Sequence, residues 1–121
     1  MSHFITFEKR DKVFRIHLNN PKGFNSLTIP QFLKVKELID QADQDNDTLA
    51  TLITSSGAFF SVGVNIKSIS KMTGKTENYY LSETSSKNML LVAVMLRHKK
   101  LLICALNGPV IGLVASLVCI L

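Results

Sequence analysis

Apolar residues recur along this chain at two periods. The chain opens with Phe4-Ile5-Thr6-Phe7-Glu8 and, past a polar break at Lys9 to Lys12, Val13-Phe14-Arg15-Ile16-His17-Leu18 alternates imperfectly at period two. That is the pattern of half-buried strands, and it predicts a hairpin with Arg15 and His17 on the polar face, His17 as a surface histidine. Asn19-Asn20-Pro21-Lys22-Gly23-Phe24-Asn25-Ser26 is a cluster of loop formers. Period 3.6 follows: Phe32, Val35, Leu38, Ile39 and Ala42 share one helix face, Ser26 or Thr28 can cap it, and Pro30 fits its first turn. The acidic run Asp43 to Asp47 closes that helix as a solvated turn. Leu49 to Thr54 reads as a buried strand, and Ser55 to Lys67 as a glycine-containing turn that feeds a short helix from Ile66 to Met72. Lys71 to Asn78 reads as a polar loop. Ser82 is placed to cap a helix from Glu83 to Leu96, with Met89, Val92, Met95 and Leu96 as apolar positions. Leu101 to Leu106 is another strand, Asn107-Gly108-Pro109 breaks it, and Ile111 to Leu121 resumes as an apolar helix.

Strands alternating with helices imply an α/β layer fold with parallel pairing and right-handed crossovers. Two of the strands end in glycine-containing turns that open helices. In a parallel sheet both turns lie at the carboxyl ends of neighbouring strands, where backbone N–H groups lack intrachain partners. Two such donors aimed at one oxygen make an oxyanion hole.

Composition narrows the picture. The 121 residues, 46% hydrophobic, suit one small domain. The net charge is +5, but the densest basic cluster is only Arg97-His98-Lys99-Lys100, and there is no tryptophan and no aromatic residue after Tyr80. A nucleic-acid surface needs a basic stripe with interleaved aromatics, so no nucleic-acid partner is expected. Cys104 and Cys119 lie in apolar runs without ligand spacing and read as buried thiols; no metal site is expected. Met1 to Arg10 lacks a secretory pattern, which predicts an intracellular, reducing compartment. All nine carboxylates precede residue 84.

Three segments carry a family resemblance. Leu18-Asn19-Asn20-Pro21-Lys22 with Asn25-Ser26-Leu27, then Ser55-Ser56-Gly57 with Phe59-Phe60-Ser61-Val62-Gly63-Val64-Asn65, then Leu106-Asn107-Gly108-Pro109-Val110-Ile111-Gly112-Leu113 resemble the successive motifs of the crotonase, or enoyl-CoA hydratase/isomerase, superfamily. The wording of the second segment and of His98 to Pro109 is most similar to the fungal peroxisomal Δ3,Δ2-enoyl-CoA isomerases. The resemblance implies an incomplete crotonase-type ββα spiral, with residues 1–121 as the amino-terminal part of a single domain that stops before the catalytic base. It implies that the backbone N–H groups of Val64 and Leu113 hold the thioester oxygen of an acyl-CoA. Lys22, Phe24, Asn25, Ser61, Val62, Gly63, Val64, Asn65, Ile66, Lys67 and Gly112 would line the substrate and its CoA moiety. Coenzyme A enters as part of the substrate, so no separate cofactor is implied. The resemblance also implies a trimer or hexamer at full length and a peroxisomal location, although no peroxisomal signal is visible at Val118-Cys119-Ile120-Leu121.

The resemblance further separates activities. In hydratases one catalytic glutamate sits three residues after the second donor, and here that position is Ser116; in the isomerases it need not be acidic, and the base comes from a later segment. The expectation is therefore a Δ3,Δ2-enoyl-CoA isomerase of fatty-acid β-oxidation, inactive as residues 1–121 alone. Alaninyl and aspartyl residues of the family are replaced here by Val64 and Asn65, and the branched Val64 side chain could crowd a thioester. Two alternatives stand beside this reading: a non-catalytic truncated paralogue with a partial CoA surface, and a protein anchored in a membrane by the uncharged residues 101–121. Asn107, Gly108 and Pro109 in the middle of that stretch argue against the anchor. An open sheet at Leu101 to Leu106 predicts poor solubility.

Overall fold

The computed structural model describes residues 2–70, 74, 76–80, 82 and 86–121. Strands β1 (Ile5–Arg10) and β2 (Val13–Leu18) form an antiparallel hairpin in register from Ile5↔Leu18 to Arg10↔Val13. Asp11 and Lys12 both have positive φ, as a two-residue turn matched to strand twist requires. The period-two pattern of β2 is realised: Phe14, Ile16 and Leu18 are buried, while Val13, Arg15 and His17 face the other side. His17 is only partly exposed, because its Nδ1 lies 2.7 Å from Thr54 Oγ1 on the next strand.

Helix α1 (Ile29–Gln44) starts at Thr28 in a capping box: the Thr28 side chain accepts from Gln31 N, and the Gln31 side chain accepts from Thr28 N. It buries Phe32, Val35, Leu38, Ile39 and Ala42, the face its spacing predicts, together with Ile29 and Gln31. Strand β3 (Ala50–Ser55) lies parallel to β2, and β4 (Leu101–Cys104) parallel to β3, so the sheet order is β1-β2-β3-β4. Between β3 and β4 run α2 (Ile66–Ser70), α3 (Glu77–Tyr80) and α4 (Ser86–Arg97); α5 (Leu113–Val118) follows β4. Helix α4 packs beside α1, and the core fills the space between these helices, α5 and the sheet. A small apolar cavity of about 40 Å³ remains there, walled among others by Phe32, Phe60, Leu91, Met95 and Val114.

Several expectations are corrected. Leu49 is 70% exposed and stands outside β3; its N–H donates to Lys12 O instead. Glu77 and Asn78, expected in a loop, lie in α3, and Met72 and Glu83 lie outside the described residues. On α4 the buried positions are Leu91, Val94 and Met95, whereas Met89 is 71% exposed and Leu96 is also exposed. The apolar pattern there is too continuous to fix which stripe turns inward. Cys104 is half-buried, and burial pushes its thiol up to about 11, but Cys119 is exposed. Residues 101–121 divide into β4, a turn and the six-residue α5, and among the described residues no helix is long and apolar enough to cross a membrane.

Candidate active site

Because β2, β3 and β4 are parallel, the loops that leave them share one end of the sheet. The first loop, after β2, begins with the 3₁₀ turn Pro21–Gly23. Asn20 caps that turn, and Phe24 and Asn25 follow with left-handed backbone. Asn25 is 1% exposed and its carboxamide is fully used. It donates to the carbonyls of Ser56 (2.8 Å) and Phe59 (3.1 Å) in the second loop and accepts from Asn20 N (2.8 Å). Buried polar groups need such satisfaction, since an unpaired one costs about 1 to 3 kcal/mol. Ser61 is equally buried; its hydroxyl donates to Asn25 O (2.7 Å) and accepts from Gly63 N (3.1 Å). Asn25 and Ser61 therefore shape the surface from beneath.

The second loop then forms short parallel bridges to both neighbours. Leu27 N donates to Gly63 O (2.9 Å) and Asn65 N donates to Leu27 O (2.8 Å). These bonds straddle Val64, so its own N–H is directed away from Leu27. On the far side Ile111 N donates to Ser61 O (3.0 Å), and the Gly112–Leu113 segment lies against Gly63. That contact is close enough for a Cβ on Gly63 to meet Ile111 O at 2.9 Å and Leu113 N at 3.2 Å, and Gly63 has a φ of 89° besides. Gly112, with a φ of 71°, turns the chain into α5, whose first N–H belongs to Leu113. Neither the Val64 N–H nor the Leu113 N–H has a hydrogen-bond acceptor among the described residues. Two free backbone donors thus sit on adjoining segments, and the chemistry they suit is the stabilisation of negative charge on oxygen.

The remaining predicted residues take distinct places. Val64 packs its side chain against the hydrophobic core. Asn65 caps α2, accepting from Ser68 N at 3.2 Å. Val62 is half-buried, with its N–H given to Phe24 O. Lys22, Ile66 and Lys67 are exposed, and Phe24 is half exposed with its ring edge-on to Phe59 at 5.1 Å. The side chains of Asn19, Ser55, Ser56 and Asn107 take part as well, although none is a predicted site residue. Ser56 Oγ donates to Asn19 Oδ1 (2.6 Å), Ser55 Oγ to Asn107 Oδ1 (2.7 Å), and Asn107 Nδ2 to Gly57 O (2.8 Å). Asparagine and serine concentrated just past three strand ends were the available signal.

Four of the carboxylates lie elsewhere. Glu8 pairs with Arg15 on the open sheet face, while Asp43, Asp45 and Asp47 gather around the end of α1, before β3 begins. A strand of this length puts those three about 20 Å from the loops. His17 and His98 both have pKa values below the ordinary 6.5, through burial first.

The chain is similar to known proteins in sequence and in fold. The enoyl-CoA hydratase/isomerase family model matches residues 13–119. The chain is 40% identical to the 3,2-trans-enoyl-CoA isomerase of Saccharomyces cerevisiae over 94% of its own length and 43% of that protein. It is 36% identical to the Delta(3,5)-Delta(2,4)-dienoyl-CoA isomerase of the same yeast, over 98% of its length and 46% of that protein. It thus spans a little under half the length of these curated relatives. In fold it matches an enoyl-CoA hydratase/isomerase from Xanthobacter autotrophicus with a TM-score of 0.86 and 24% identity, over 94% of this chain and 42% of the other. The match across residues 13–119 places this chain in the enoyl-CoA hydratase/isomerase family.

Proposed function

We propose that residues 1–121 form the oxyanion-binding part of a Δ3,Δ2-enoyl-CoA isomerase acting on unsaturated fatty acyl-CoA. The observation that carries this reading is the pair of unused donors, Val64 N–H and Leu113 N–H, on adjoining glycine-flanked segments. A 3-enoyl thioester loses a proton from C2, its electrons spread onto the thioester oxygen as a dienolate, and a proton returns at C4. The two N–H groups hold the oxygen most strongly when it is most negative, which is what lowers the barrier. The proton is carried by a carboxylate, which the family resemblance puts in a segment outside residues 1–121; Glu8, Asp43, Asp45 and Asp47 stand away from the loops. Coenzyme A enters with the substrate, along the exposed residues Lys22, Phe24, Ile66 and Lys67. Ser116, one turn beyond Leu113 on α5 and exposed, offers a hydroxyl where a hydratase would need an acid. Assembly into a trimer or hexamer and a peroxisomal location belong to the same proposal and rest on the family resemblance.

On this reading residues 1–121 bind acyl-CoA thioesters without isomerising them. The test compares acetoacetyl-CoA, whose enolate resembles the dienolate, with S-butyl-CoA, a thioether with no carbonyl. Calorimetry should show the thioester bound more tightly. Leu113→Pro removes the N–H at a helix position where proline is tolerated. It should abolish about 3 kcal/mol of that preference. Equal affinity of the unaltered chain for the two ligands would refute the reading.

A further inference from the structure

The Ser55–Phe59 segment is gripped from both sides by asparagine carboxamides. From the first loop Asn25 takes the carbonyls of Ser56 and Phe59; from the third loop Asn107 takes the carbonyl of Gly57 and the hydroxyl of Ser55. Three of the five carbonyls in this segment thus accept from side-chain amides. Asn107 has the more consequential position, because it joins the two loops that carry the free donors. Further along those loops the contact is made by backbone: Phe60 N donates to Pro109 O (2.9 Å) and Ile111 N to Ser61 O (3.0 Å). At the strand end Ala105 N donates to Ile53 O (3.0 Å). Between that bond and Pro109 the chain turns, and the Asn107 carboxamide ties this turn to Ser55 and Gly57 of the second loop.

Next to it the backbones are in direct contact. A Cβ on Gly108 would fall 2.0 Å from Ala58 O, so the third loop approaches the second at a distance only glycine permits. Such an approach has no side-chain padding to absorb a slip. A small rotation of the third loop therefore passes directly to Gly112 and Leu113.

We propose that Asn107 is a positioning residue: by holding Gly57 O and Ser55 Oγ it sets the separation between the Val64 and Leu113 N–H groups, and with it the strength of their joint grip on one oxygen. The proposal rests on the acyl-thioester reading and goes beyond it, assigning to a surface side chain a share in carbonyl recognition without contact to the ligand.

The test measures affinity of the full chain for acetoacetyl-CoA and for S-butyl-CoA in Asn107→Ala and Asn107→Asp. The aspartate keeps an acceptor for Ser55 Oγ but cannot donate to Gly57 O, and it is nearly isosteric, so it guards against loss of folding. In both variants the preference for the thioester should fall about tenfold, a fraction of the hundredfold that a misplacement of about 1 Å costs in rate. Affinity for S-butyl-CoA should stay unchanged, because the CoA surface is elsewhere. Circular dichroism should report the native fold. A parallel loss for both ligands, an intact preference, or unfolding of both variants would each assign Asn107 to the fold alone and overturn the proposal. Equal affinity for the two ligands in the unaltered chain would instead sink the thioester reading itself, and the role of Asn107 with it.

Discussion

Helices α1 and α4 lie side by side on one face of the same sheet, yet they are completed to different degrees. Helix α1 is closed by a capping box at one end and by Lys100 at the other, whose Nζ donates to the carbonyls of Ala42 (2.6 Å) and Asp45. Its whole predicted apolar stripe is buried. Helix α4 buries Leu91, Val94 and Met95 but leaves Met89, Leu90 and Leu96 exposed, and the adjoining edge strand β4 leaves Leu101 and Ile103 exposed as well. A core that is finished on one side and open on the other puts the resistance to unfolding in the β1-β2-α1-β3 half. It also puts the unspent hydrophobic surface beside β4. The free donors Val64 and Leu113 sit where the two halves meet.

The sharpest way to break this comparison is one deletion on each helix. Phe32→Ala removes a ring that is 1% exposed and should cost about 4 kcal/mol. Met89→Ser on α4 should change stability by no more than about 0.5 kcal/mol, since the side chain is 71% exposed. Urea midpoints at constant slope would measure both. Similar losses for the two would mean that α4 is as fully packed as α1, and the contrast would collapse.

The next effect is smaller and local. Thr28→Ala removes one half of the capping box and should cost about 1 kcal/mol, with hydrogen exchange speeding up first in Ile29 to Phe32. Unchanged exchange there would mean that tertiary packing, and not the cap, fixes where α1 starts.

What could be read without coordinates follows the same division. The hairpin, α1 and its buried face were legible because β2 alternates, α1 keeps a helical period and Thr28-Ile29-Pro30-Gln31 is a strong start signal, whereas β1 buries Ile5 alone. The buried stripe of α4 was not: Met89-Leu90-Leu91-Val92 offers four apolar candidates in succession, and only the neighbouring helix decides among them. At the loops, the motifs drew attention to Val64 and Leu113, but no pattern could tell that the Asn25 and Ser61 side chains would be engaged by backbone groups of neighbouring segments. That outcome depends on how three loops meet, which is long-range information. The same holds for Leu49, which looks like a core residue in its run and is ejected because β3 begins one residue later.

The subtlest difference should appear at the joint between α1 and α4. The His98 side chain is 1% exposed; its Nε2 lies 2.8 Å from the buried Thr51 hydroxyl, and its Nδ1 is 3.6 Å from Asp43 Oδ1 near the end of α1. Burial lowers its pKa from the ordinary 6.5, Lys100 adds to the lowering, and Asp43 and Asp40 oppose it. The fold therefore favours the neutral ring, while the unfolded chain takes up a proton near 6.5. Below that pH the unfolded state binds more protons, so stability must fall as pH drops through 6.5 towards the folded pKa, and is full above it. His17 contributes in the same direction, because burial and Arg15 lower its pKa too. His98→Asn should flatten the decline in urea midpoint between about pH 7 and about pH 5 without removing it, the remainder belonging to His17. If the slope were unchanged in the variant, His98 would be titrating alike in both states, and the joint would be open to water.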